Sequence, residues 1–182
     1  MTDLTPDIVL AAYSQGFFPM ADSASEDEVY WYNPPVRGQL SIENLHIPRS
    51  LKRFIRKDPF ELSFNKDFPA VIAGCAASTE GRENTWINDP IRDVFIALHE
   101  RGQAHSVECW QDGQLVGGIY GVAIGKVFAG ESMFSRVSGA SKVALVTLCA
   151  ILDDSTFTVF DTQFVNDHLQ QFGVYEIEKD HY

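Results

Sequence analysis

In the segment Phe128-Ala129-Gly130-Glu131-Ser132-Met133-Phe134-Ser135, one carboxylate and two hydroxyls interrupt a glycine-flanked apolar run that otherwise reads as a buried strand. Desolvating a carboxylate is costly unless a cation or hydrogen-bond donors meet it. A strand that carries such a residue is expected to line a site. Further along, Asp161-Thr162-Gln163 follows an apolar run that ends at Phe160. A carboxylate just beyond a strand end, with a carboxamide two residues on, places both side chains on one side. Such a pair can accept and pass a proton or orient a nucleophilic amine. By spacing alone, turn formation and capping are the simpler account of this region, with Asn166 as a cap for the next helix. Ser132 and Ser135 are hydroxyl nucleophiles in principle, but no general base stands near them in sequence. His105, on a strand pattern, reads as structural. No His/Cys/Asp/Glu group has metal-ligand spacing, and no GxSxG, P-loop or GxGxxG pattern occurs, so neither metal nor cofactor is expected.

Strands and helices must position these groups. Thr5 caps and Pro6 opens a first helix that Gly16 closes. Two aromatic stretches follow, Phe17-Phe18-Pro19 and Tyr30-Trp31-Tyr32-Asn33-Pro34-Pro35. They read as a loop, either packed down or open as a stacking platform, with packing favoured by composition. Strands are expected over 39–43 and 60–64, with a basic helix over 48–57 between them, then a helix over 67–77. Asn88-Asp89-Pro90 starts another helix, which Gly102 ends. Three strands over 105–111, 114–123 and 126–134 are joined by the tight-turn pairs Asp112-Gly113 and Gly125-Lys126. A helix over 140–152, a strand over 156–160 and a helix over 165–172 complete the chain. Ser138-Gly139-Ala140-Ser141 leads into the 140–152 helix, whose N-terminus would favour anions. Gly117, Gly118 and Gly121 in the middle strand imply a bulge or the close approach of a ligand. The order of elements is that of an α+β layered fold, divided near residue 60 into segments 1–60 and 61–182.

With 182 residues, 45% of them hydrophobic, and a net charge of −11, the chain is an ordinary globular protein with no broad affinity for nucleic acid. Its charge is unevenly spread. Arg49, Lys52, Arg53, Arg56 and Lys57 supply five of the fourteen basic residues. Positions 49, 52, 53 and 56 share one helical face, with Leu51, Phe54 and Ile55 facing inward. This stripe is either a solvated face or a contact for phosphates. Cys75, Cys109 and Cys149 form no CxxC pair and read as buried free thiols. The first residues lack the basic and apolar regions of a signal peptide, and no apolar run approaches a membrane span. A cytoplasmic, non-membrane protein is expected.

Read together, certain residues resemble a known family. They are Gly16-Phe17-Phe18-Pro19, Trp31-Tyr32-Asn33-Pro34 with Arg37, Thr85-Trp86-Ile87, Ala104-His105-Ser106-Val107-Glu108, Leu115-Val116-Gly117-Gly118-Ile119-Tyr120-Gly121, Gly130-Glu131-Ser132-Met133-Phe134-Ser135, Ala140-Ser141-Lys142 and Asp161-Thr162-Gln163. In this order they look like the leucyl/phenylalanyl-tRNA–protein transferases. The resemblance runs from about residue 7 to 176. Two departures stand out: Val36 precedes Arg37 where members commonly have proline, and Ile119 occupies a position often held by methionine.

The resemblance implies a bacterial, monomeric enzyme with an acetyltransferase (GNAT)-like larger domain and a small N-terminal α/β domain. It would move leucine or phenylalanine, sometimes methionine, from aminoacyl-tRNA to the α-amine of proteins or peptides beginning with Arg or Lys, creating an N-degron, without metal or coenzyme. In those terms the basic stripe would hold tRNA phosphates, and Trp31, Tyr32 and Trp86 would stack the terminal adenosine. Ile119, Phe128, Gly130, Ser132, Leu148 and Leu152 would form the pocket for the amino-acid side chain. Glu131 and Asp161 would make an acidic mouth for the cationic acceptor, with Asp161 polarising Gln163 to orient the attacking amine. Two other readings remain at this point: an acyl-CoA-dependent N-acyltransferase of the same fold, and a non-catalytic adaptor for basic N-termini.

Overall fold

A computed structural model describes residues 4–78 and 84–179; residues 1–3, read above for a leader, lie outside them. Helix α1 (Pro6–Tyr13) begins where the Thr5 hydroxyl accepts the Ile8 N–H at 3.4 Å. After Gly16, whose φ of 82° only glycine adopts freely, the chain forms β1 (Phe18–Met20) and β2 (Tyr30–Tyr32). These pair as an antiparallel ribbon, so the aromatic stretches are strands rather than loop, and Tyr30, Trp31 and Tyr32 are all exposed. Then come β3 (Val36–Leu40), α2 (Arg49–Ile55), β4 (Glu61–Phe64), and α3 (Phe68–Ala76) under an Asp67 cap. Helix α4 (Asp89–Glu100) starts under an Asn88 cap and leads to β5 (Ala104–Gln111). Strands β6 (Gln114–Ile124) and β7 (Val127–Ser135) complete the meander, followed by α5 (Ala140–Asp154), β8 (Val159–Gln163), α6 (Asp167–Gln170) and β9 (Tyr175–Glu178).

Seven strands form one sheet in the order β4-β5-β6-β7-β8-β3-β9. All neighbours run antiparallel except β7 and β8. Helices cover both faces. On one, Val9, Phe68, Val71 and Phe95 pack on Tyr120 and Val122. On the other, Leu51, Leu145 and Leu148 pack on Ile119, Phe128 and Phe160. Burial on both sides explains why β6 is apolar almost throughout instead of alternating. Each fully buried aliphatic or aromatic side chain contributes roughly 1.5–3 kcal/mol to this arrangement.

The glycines of β6 serve that packing. A Cβ on Gly117 would collide with Ala140 of α5, and one on Gly118 would stand 3.2 Å from Val71 of α3. Close approach is by helices, and a bulge does occur beside Gly121.

Several boundaries differ from the sequence reading. Strand β3 spans 36–40 rather than 39–43, because β8 and β9 pair with it from both sides. The strand expected over 156–160 is shifted to 159–163, since Thr156, at φ 62°, still belongs to the turn after α5. Asp161 and Gln163 therefore lie within the strand, not beyond it. The last helix is short, and β9 was not foreseen: Tyr175-Glu176-Ile177-Glu178 does alternate, but four residues at a mostly exposed edge are too short a run to mark a strand. The expected division near residue 60 cuts the large sheet, which already includes β3. What stands outside that sheet at the N-terminal end is α1 with the β1–β2 ribbon.

Candidate active site

The sheet splits at β7 and β8. These parallel strands pair only through Val127–Ala129 and Val159–Asp161. Just past the split, both strands bulge. Gly130 faces Gly121 and Ser132 faces Tyr120, leaving Glu131 as the extra residue of β7. Asp161 faces Gln39 and Gln163 faces Gly38, leaving Thr162 as the extra residue of β8. A bulge bends its strand and re-aims the local side chains. Gln163 is held at φ 55°, a left-handed conformation costly for a non-glycine residue. The outcome is one contact: Gln163 Nε2 donates to Glu131 Oε1 at 2.8 Å across the open split.

Asp161 is placed differently from expectation. It is fully buried and ion-paired with the Arg37 guanidinium, itself 1% exposed. It cannot form an acidic mouth for a substrate, because its charge is already met. Its second contact is with the Gln163 backbone, whose N–H donates to Asp161 Oδ1 at 2.9 Å. Asp161 therefore holds the main chain of Gln163 in its strained turn, rather than polarising the carboxamide. Arg37 also donates to the Gly16 carbonyl at 2.6 Å and lies over the Phe18 ring at 5.0 Å. The N-terminal ribbon is thereby tied to the split in the sheet.

Glu131 is half-buried by exposed area, and its carboxyl is enclosed enough that desolvation pushes its pKa up to about 8. The Asp161 charge adds to the rise, while Tyr13, Arg37 and Gln163 oppose it. A carboxyl that titrates near neutrality can exchange a proton at physiological pH.

A cavity of about 210 Å³ opens beside this pair. Ile119, Met133, Leu145, Phe160 and Leu169 make it apolar, and Glu131, Gln163, Gly130 and Ser132 form its polar end. Phe128, Leu148 and Leu152 belong to the same core but line a separate cavity of about 150 Å³. Phe128 meets Phe160 edge-on at 5.7 Å between the two. Leu145, Met133, Phe160 and Leu169 were missed in the sequence. For Leu145 a signal existed, because it lies three residues before Leu148 on the same helical face. Tyr32 and Trp86 line a third cavity, of about 410 Å³, with Phe164, the neighbour of Gln163. Trp31 alternates to the other side of the ribbon and is 38% exposed.

The basic residues Arg49, Lys52, Arg53, Arg56 and Lys57 are exposed, and none forms a salt bridge among the described residues. They flank Leu51 and Phe54, which pack on the same face of the sheet as the 210 Å³ cavity. The N-terminus of α5 is not an open anion site. Phe54 occupies the space where a Cβ of Gly139 would stand, the Ala140 N–H goes to Val137, and the Ser141 N–H goes to Ser135 Oγ at 2.7 Å. This deprives the coenzyme A reading of its pyrophosphate cradle. His105 stacks on Phe64, and its Nδ1 meets Asn65 at 2.9 Å, a structural role. Asn166 caps α6 through the Leu169 N–H. The three cysteines are buried, and no metal-ligand cluster exists among the described residues.

Known proteins have related sequences. Residues 39–182 match the family described as leucyl/phenylalanyl-tRNA protein transferase, and residues 2–35 match its N-terminal domain. The leucyl/phenylalanyl-tRNA–protein transferase of Rhodopseudomonas palustris is 49% identical, aligned over 98% of this chain and 79% of its own length. That of Dinoroseobacter shibae is 51% identical over 98% of this chain and 78% of its own. Among solved structures, FemX shares the fold with a TM-score of 0.61 at 12% identity, covering 97% of this chain and 68% of FemX. The layered α+β fold expected from the sequence is the one found, and FemX shares it. The chain belongs to the leucyl/phenylalanyl-tRNA–protein transferase family, a family of aminoacyltransferases.

Proposed function

We propose that this enzyme moves leucine or phenylalanine, and to a lesser degree methionine, from aminoacyl-tRNA to the α-amine of proteins beginning with Arg or Lys, creating an N-degron, as a monomer in the bacterial cytoplasm. The observation that carries the reading is the Glu131–Gln163 pair, set by two bulges at the polar end of an apolar cavity. The cavity takes the aminoacyl side chain, with Ile119 shaping its wall. Tyr32 and Trp86 receive the terminal adenosine, each base stack contributing roughly 1–3 kcal/mol. Trp31 lies on the approach. The exposed basic stripe of α2 meets tRNA phosphates.

In the reaction the amine nitrogen bonds to the ester carbonyl carbon, and the bond from that carbon to the ribose oxygen breaks. One proton leaves the amine and one reaches the ribose oxygen, so no co-reactant is needed. Glu131 takes the proton from the amine. With its Nε2 engaged by Glu131, Gln163 has its carbonyl oxygen free to accept from the amine and orient it. Asp161 and Arg37 act behind Gln163 as positioning residues. Glu131 is also the one acid of the expected mouth that remains open to the cavity, and once ionised it supplies the negative charge for a basic acceptor. Aminolysis of an activated ester needs little more than alignment, so positioning supplies much of the rate. Transfer of radiolabelled leucine from charged tRNA to a peptide beginning with arginine, beside one beginning with alanine, tests the proposal. Label on the arginine peptide alone is expected; label on both sinks the acceptor assignment, and label on neither sinks the transfer.

A further inference from the structure

Two buried phenols lie beneath the site. Tyr13, at the end of α1, is 3% exposed, and Tyr120 of β6 is fully buried, yet neither hydroxyl has a hydrogen-bond partner among the described residues. Buried hydroxyls without partners are rare and call for an explanation. The two act on the same neighbour. The charge of Glu131 raises the titration of both, after burial itself in each case and, for Tyr120, after Cys75. Tyr13 also comes within reach of the Glu131 carboxylate without achieving good hydrogen-bond geometry. The register explains the convergence: Tyr120 pairs with Ser132, directly beside the bulged Glu131.

We propose that Tyr13 and Tyr120 are paired positioning residues that donate to Glu131 when its carboxylate is ionised, and so set the pH at which it can take a proton. The proposal rests on the base role given to Glu131 above. Glu131 is acted on by Tyr13 from α1, Asp161 and Gln163 from β8 and Arg37 from β3, and its own charge acts on Tyr120, which the β6–β7 register sets beside the bulge. Gln163 supplies one donor from the cavity side. The phenols would supply the others from the buried side, where solvent is excluded. Because a phenol donor favours the charged carboxylate, removing it raises the pH at which Glu131 ionises.

The test uses Tyr13→Phe and Tyr120→Phe in the full chain, read in two ways. The first is the titration of the Glu131 carboxyl by carbon NMR in glutamate-labelled protein, with the signal assigned from its loss in Glu131→Gln. The second is the pH profile of single-turnover transfer from leucyl-tRNA. Each substitution is expected to move the carboxyl midpoint upward by about half a pH unit or more, with the rising limb of the rate profile moving alongside. In a Glu131→Gln background neither substitution should alter the rate further. An unchanged carboxyl midpoint in both phenylalanine variants overturns the proposal. A shifted midpoint with an unshifted rate profile supports the tyrosine contacts and overturns instead the base role of Glu131.

Discussion

Glu108 and Glu131 are both acids on interior strands of one sheet, yet they sit in opposite kinds of surroundings. Glu108, in β5, is fully buried and saturated: it accepts from Ser106 Oγ at 2.5 Å, Ser63 Oγ at 2.6 Å and the Asp67 N–H at 3.5 Å. Ser63 in turn accepts from the Trp110 indole at 2.8 Å. Strand β4 and the start of α3 close around it. Glu131 has one well-formed donor, two neighbouring tyrosines whose buried hydroxyls lack a partner among the described residues, and a cavity in front. A buried carboxylate alone therefore does not mark a site. An incompletely satisfied one at a bulge, facing a cavity, does.

The comparison breaks most visibly at the glutamates themselves. Glu131→Gln should lower single-turnover transfer by about 10²–10⁴-fold, the usual range for losing a proton acceptor. Glu108→Gln should leave the rate of the folded protein near wild type. Equal losses in both would erase the distinction. The ion pair behind the site comes next. Asp161→Ala strands a buried guanidinium and is expected to cost about 3–5 kcal/mol in urea denaturation.

Stability against pH sharpens the contrast further. Burial raises the Glu131 pKa from 4.5 to about 8. The folded protein thus keeps a proton that the unfolded chain releases. The stability associated with this group is complete below pH 4.5 and declines as pH rises toward 8. Glu131→Gln should remove that slope and stabilise the protein at pH 8 by roughly 1–3 kcal/mol, measured by thermal unfolding across pH. A variant that unfolds at lower temperature than wild type at pH 8 contradicts the assigned burial cost. The smallest effect concerns the remote stripe. Arg53→Glu with Arg56→Glu should reduce the salt slope of tRNA binding by roughly 0.7–0.9 for each phosphate no longer neutralised, without altering transfer at saturating tRNA.

Much of this was legible along the chain. The caps at Thr5, Asp67, Asn88 and Asn166 and the turn at Asp112-Gly113 announce themselves by residue type, because each meets a local backbone demand. The unusual setting of Glu131 was visible too, whereas the carboxamide of Gln163 turned out to meet Glu131, and Asp161 its backbone. Strand β9 was not visible, because its alternation runs for only four residues at an exposed edge. Leu169, on a four-residue helix, likewise gave no periodic cue.

The amino-acid sequence by itself determined the layered α+β fold, the elements that supply the site, and the family, since local propensity, hydrophobic period and motif order are properties of the chain. Only the tertiary structure decided what each acid does. Asp161 is neutralised by Arg37, which lies 124 positions away; Glu131 is turned into the split by a bulge that exists only once β6 pairs with β7. Charge pairing and register join residues distant in sequence, and those long-range contacts set whether a carboxylate is satisfied, strained or ready to take a proton.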